Sequence, residues 1–153
     1  MQTLNVGAGK TDDEYKAAEE QRQADLRADS RSYANYFFWA AGLAGIASGL
    51  FPVKMNILVN VGVFDLIGAY GRKALQGYPL AADGIVGAWM TTLVGLGIAA
   101  RAGYRWAFLF GIILYGVDML ALMTMFSIWA FGIHAFFVFK WFQGQQVLKD
   151  LKG

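Results

Sequence analysis

The run WAFLFGIILYGVDMLALMTMFSIWAFGIHAFFVFKWF, from Trp106 to Phe142, is apolar over nearly its whole length, and Asp118, His134 and Lys140 interrupt it. As one straight helix it would reach roughly 55 Å at about 1.5 Å per residue, against about 30 Å for the hydrocarbon core of a bilayer. The chain must therefore reverse or bend between Thr124 and Ser127, although neither glycine nor proline marks the turn. A reversal near Phe126 puts Asp118 and His134 each eight residues from the turn. Both then lie at one depth, roughly 12 Å below the nearer surface.

The rest of the chain agrees with a membrane reading. Of 153 residues 57% are hydrophobic and 16% charged, and the mean hydropathy is +0.41. A soluble domain carries about 25% charged residues. The charges crowd between Asp12 and Arg31 and thin out from Ser32 to Trp141. The expected class is all-α: an integral membrane helical bundle of about five transmembrane helices after a soluble N-terminal helix. Its parts are a polar arm (1–32), the bundle (33–142) and a polar tail (143–153). The apolar segments are 33–51, closed by Pro52, then 55–70, 84–100, 106–126 and 128–142. The second and fifth are short of the usual span of about 20 residues. Five spans leave Lys and Arg almost evenly divided between the two faces. Four spans with an interfacial last segment satisfy the positive-inside rule better, but 128–142 has no polar face. Five spans with the arm cytoplasmic is the expected layout.

The arm opens on Thr11-Asp12-Asp13-Glu14, a capping box with acidic residues suited to the first turn of a helix. Helix formers continue to Ser32, with only Tyr15 and Leu26 as large apolar groups, so this helix is solvated. Met1 to Lys10 lacks the charged-then-apolar order of a signal peptide. A net charge of +2 with no basic stripe excludes nucleic acid as the expected partner. There is no cysteine, hence no disulfide, thiolate metal site or thiol nucleophile.

Many of the 19 glycines fall inside the apolar segments. Gly45 and Gly49 form a small-xxx-small pair, and the third segment carries Gly84, Gly87, Ala88, Gly95 and Gly97; such residues let helix backbones approach closely, within one bundle or between copies. Trp39, Tyr104, Trp106 and Trp141 lie near segment ends, as interfacial anchors do.

An Asp inside a span costs about 2.5 to 3.5 kcal/mol on insertion scales and marks a candidate site. The candidate polar cluster is Asp118, His134, Asp65 and Tyr115, in one half of the membrane. Asp118 and His134 can form an ion pair or a neutral hydrogen-bonded pair, and the same contact can simply fix two helices. With one histidine and no cysteine, neither a metal centre nor a cofactor is expected. Phosphate loops, GxSxG and HExxH are absent from the sequence.

Trp106-Ala107-Phe108, Gly111, Tyr115, Asp118, His134-Ala135-Phe136 and Gly144 form a pattern that resembles small multi-pass bacterial membrane proteins of unassigned function. The phenylalanine usual before the histidine is Ile133 here. The resemblance implies the five-span layout and a bacterial inner membrane, and no activity. Three function classes follow. The first is a non-enzymatic accessory subunit or interaction protein, with the lipid bilayer and either a membrane protein or a second copy as partner. The second is a proton-linked channel or transporter, a homo-oligomer built around Asp118 and His134. The third is a lipid-active enzyme with that pair facing a lateral cleft.

Overall fold

The computed structural model describes residues 11–50, 79–123 and 128–151. Among them the chain forms four helices and no strand: α1 (Asp12–Leu50), α2 (Pro79–Arg101), α3 (Arg105–Met123) and α4 (Ile128–Asp150). The all-α class holds. The segment 55–70, with Asp65, lies outside the described residues.

The capping box forms as expected. The Glu14 amide donates to Thr11 Oγ1 at 3.4 Å, and the Thr11 amide donates to Glu14 Oε2 at 2.7 Å. The arm and the first apolar segment are not separate helices, however. α1 runs through both in 39 residues. Nothing between Ala28 and Tyr36 breaks a helix, so the i to i−4 ladder continues where the surroundings change.

α2 begins on Pro79, whose missing amide hydrogen costs nothing in a first turn. It ends in a Schellman turn: the Tyr104 amide donates to the Ala99 carbonyl at 3.1 Å and the Gly103 amide to Ala100 at 3.0 Å. Gly103 has φ 87°, the left-handed region that glycine enters without steric cost. This short turn folds α3 back along α2.

The polar tail expected from residue 143 is also helical, since α4 continues to Asp150. Its buried residues Ala130, His134, Phe137, Trp141, Gly144 and Leu148 alternate steps of four and three, one unbroken inward line. The tail stays helical because Gly144 and Leu148 extend that line.

Close approaches set the directions. A Cβ on Gly97 would lie 3.0 Å from Phe37 Cβ, and one on Gly45 would lie 2.7 Å from Met90 Cε, so α1 and α2 are antiparallel. Gly111 faces Phe37, making α3 parallel to α1, and Gly144 faces Phe108 and Tyr33, making α4 antiparallel to both. The helices thus alternate up and down around an aromatic core. Phe37 stacks on Trp141 at 4.2 Å and 10°, and Trp141 meets Tyr115 edge-on at 4.7 Å. Trp141 is fully buried rather than interfacial, in a space that a side chain at Gly111 would occupy.

α1 ends and α2 begins at the same end of the bundle, because the two are antiparallel. The expected five spans are not supported among the described residues. Among the described residues, one stretch, Gly84–Arg101 in α2, is long and apolar enough by itself to cross a membrane.

The outer surface is apolar where the bundle is packed. Trp39 and Ile46 on α1, Ile98 on α2, Ile113 and Leu120 on α3, and Trp129 and Phe139 on α4 are all exposed. The described Lys and Arg side chains sit at or near the end carrying the arm: Lys16, Arg22, Arg27 and Arg31 on α1, Arg101 and Arg105 beside the α2–α3 turn, and Lys140 and Lys149 on α4.

Candidate functional site

α3 carries Tyr115 and Asp118 three residues apart, hence on one face. α4 presents His134 to that face, six residues beyond its start at Ile128. His134 Nε2 lies 2.6 Å from Asp118 Oδ2, and Nδ1 lies 2.9 Å from the Ala130 carbonyl oxygen. His134 has no exposed surface and Asp118 retains 3%. The Tyr115 ring lies 4.6 Å from the imidazole, itself between Trp89 and Trp141.

This geometry constrains the protons. A backbone carbonyl only accepts, so Nδ1 carries a hydrogen and donates it to Ala130. The contact between Nε2 and Oδ2 then holds one proton. Placed on nitrogen it gives imidazolium with carboxylate; placed on oxygen it gives neutral imidazole with carboxylic acid. Either way the pair has no net charge, the state that a low-dielectric interior favours.

The other sequence candidates separate. Tyr115 joins the pair; Asp65 lies outside the described residues. Gly45 does pack against Met90, and the side of Gly49 lies outside the described side chains. Gly87 and Gly95 meet nothing within 4 Å in this chain. α2 turns Val86, Trp89, Leu93, Leu96 and Ala100 inward, which leaves both glycines on its outer face. The close contacts belong instead to Gly97, Gly111 and Gly144. Their common signal is a facing aromatic ring, which spacing along one segment cannot reveal.

Lys140 is held among rings, with Nζ 5.9 Å from Tyr33, 5.6 Å from Tyr36 and 5.8 Å from Phe136. Such cation–π contacts let a charged head remain beside apolar surface. A lateral apolar cleft of about 510 Å³ opens between α1 and α4, lined by Leu43, Trp129, Gly132, Phe136 and neighbours. Ile133 and Phe137 line it, but Asp118 and His134 do not. The polar pair therefore faces the core rather than this opening. No cluster of three His, Cys, Asp or Glu suited to a metal occurs among the described residues.

Sequence reading also missed a grouping of Arg27, Ser30, Arg31 and Arg101 around a second cleft at the arm's end. The spacing of 27, 30 and 31 was the available signal.

On the arm, the hydrogen bond from Arg22, helped by one from Gln23, holds the Glu19 carboxyl below its ordinary value of 4.5. Comparison with family models, curated proteins and solved structures gives no match.

Proposed function

We propose that this is a membrane-anchored, non-enzymatic accessory or interaction protein whose bundle holds the helical arm against the membrane surface for a partner. The observation that carries the reading is the outward-facing apolar surface on all four helices. Soluble monomers rarely expose contiguous apolar patches beyond a few hundred Å². The stretch Gly84–Arg101 in α2, 18 residues, agrees. At about 1.5 Å per residue it comes close to a hydrocarbon core of about 30 Å.

The four described helices, which alternate up and down, support four crossings. The arm, the α2–α3 turn and the end of α4 then share the face where the described Lys and Arg gather. By the positive-inside rule that face is cytoplasmic.

The Asp118–His134 pair is read as a clasp between α3 and α4. A proton-linked channel would need the pair to exchange protons with water. Its full burial, with both ring nitrogens engaged, favours the clasp. The exposed small residues Gly84, Gly87, Ala88 and Gly95 leave α2 open to a partner helix or a second copy.

The test is native mass spectrometry of the protein gently extracted from its own membrane, with and without residues 1–29. The proposal expects a stoichiometric partner that the shortened chain loses while still extracting as a folded bundle. A closed homo-oligomer whose proton flux disappears in Asp118→Asn would contradict it.

A further inference from the structure

Three arginines line a cleft of about 430 Å³ at the arm's end of the bundle, and the Arg101 guanidinium lies over the Phe38 ring at 5.5 Å. Arg27, Ser30 and Arg31 lie at i, i+3 and i+4, on one face of α1. Arg101, Gly103 and Tyr104 close the other side, and Leu148 and Leu151 supply an apolar wall. The size falls within the range of about 300–1,000 Å³ typical of small-molecule sites.

Among the described residues the three arginines form no ion pair. Arg22, outside the cleft, pairs with Glu19 at 3.1 Å. Ser30 is only 3% exposed and lines the cleft. α3 starts directly after Tyr104 with no acidic residue in its first turn, so its positive dipole end is also unneutralised.

We propose that this cleft binds the phosphate of an anionic phospholipid headgroup, an assignment that rests on the membrane reading above. Guanidinium groups recognise phosphate oxygens through paired N–H donors. The lipid source is favoured over free phosphate by the mixed walls: arginines meet the headgroup while Leu148 and Leu151 flank its glycerol. The exposed rings of Tyr104 and Trp106 stand beside the cleft, where aromatic residues mark a membrane interface.

The experiment uses the full chain in bilayer nanodiscs containing phosphatidylcholine with or without phosphatidylglycerol, read by native mass spectrometry. One phosphatidylglycerol should be retained per chain in preference to phosphatidylcholine. Arg27→Gln and Arg31→Gln should each weaken retention about fivefold, the loss expected for one arginine at an anionic surface. The double variant should lose the preference, and Arg22→Gln should keep it. Glycerol 3-phosphate and inorganic phosphate, added alone to detergent-solubilised protein, distinguish the sources. Equal retention of the two lipids, an unaffected double variant, or phosphate binding without any lipid preference would each overturn the proposal. Vesicle flotation of the same protein separates the two readings. A chain that stays in the aqueous fraction defeats membrane anchoring itself. One that floats without lipid preference defeats only this site.

Discussion

The two halves of α1 are one continuous helix in opposite circumstances. From Asp12 to Asp29 nearly every side chain is exposed and polar, and the helix is held by its cap and by local pairs such as Glu19 with Arg22. From Ser30 onward Ala34, Phe37, Ala40, Ala41 and Ala44 are buried against other helices, while Trp39 and Ile46 face outward. The first half owes its helicity to terms worth a few tenths of a kcal/mol each, about 0.2–0.5 for a side-chain pair. The second depends on close packing and on the surroundings of its outer face. Backbone hydrogen bonding is thus common to both, and what differs is which solvent each half requires.

The largest expected effect lies deep in the packed half. Asp118→Leu leaves His134 buried without its partner and should cost about 2–3 kcal/mol. His134→Leu should cost a similar amount, and the double variant should lose clearly less than the sum. Unfolding in detergent followed by circular dichroism measures all three. Additive losses would mean that the pair is not the clasp described.

Glycines sharpen the contrast within the bundle. Gly144→Ala would put a Cβ 2.6 Å from Phe108 Cε1 and 2.8 Å from Tyr33 Cβ. Overpacking of that kind costs about 1–3 kcal/mol. Gly95→Ala meets open space and should stabilise α2 by about 0.5–1 kcal/mol, the usual gain for alanine in a helix interior. Melting temperatures of the two variants should move in opposite directions.

On the arm the effects are smaller and local. Thr11→Ala removes the cap and should cost about 1 kcal/mol of arm helicity. Amide hydrogen exchange should speed up in residues 12–18 and remain unchanged in α3 and α4. The weakest effect is the pH response of Glu19. Its folded carboxyl is held below its ordinary 4.5, so the stabilisation is present above that pH and fades as pH falls through the lowered value. Arg22→Gln should abolish this acid-side loss of arm helicity, as read by circular dichroism of the arm peptide and by exchange in the whole protein.

Much of this contrast is legible in the sequence. The capping box needs only the local spacing of Thr11 and Glu14, and it forms. A reversal between Asp118 and His134 is expected from the length of the apolar run, and the structure brings the two side chains into contact. What cannot be read is which face of a uniformly apolar helix turns inward. α2 is apolar nearly all round, so Gly87 and Gly97 look equivalent until Phe37 and Phe38 select one. Chain direction is hidden for the same reason. An apolar run such as 55–70 suggests a crossing by composition, whereas the direction of α2 is set by its partners on α1, remote in sequence. The end of α4 reads as a tail because Gln143, Gln145 and Gln146 are polar, although Gly144 and Leu148 keep the inward spacing.

The proposed arrangement is four crossings with the arm and the α2–α3 turn on one cytoplasmic face. The chain has no cysteine, so single cysteines can report sidedness against an empty background. Ala18→Cys, Ala102→Cys, Gln146→Cys and Ile128→Cys would each be exposed to a membrane-impermeant maleimide in intact cells. The account predicts that Ala18, Ala102 and Gln146 are shielded until the membrane is opened, while Ile128, exposed at the opposite end of the bundle, is labelled from outside. Labelling of Ala102 from outside with Ala18 still shielded would contradict it and restore an extra crossing between α1 and α2.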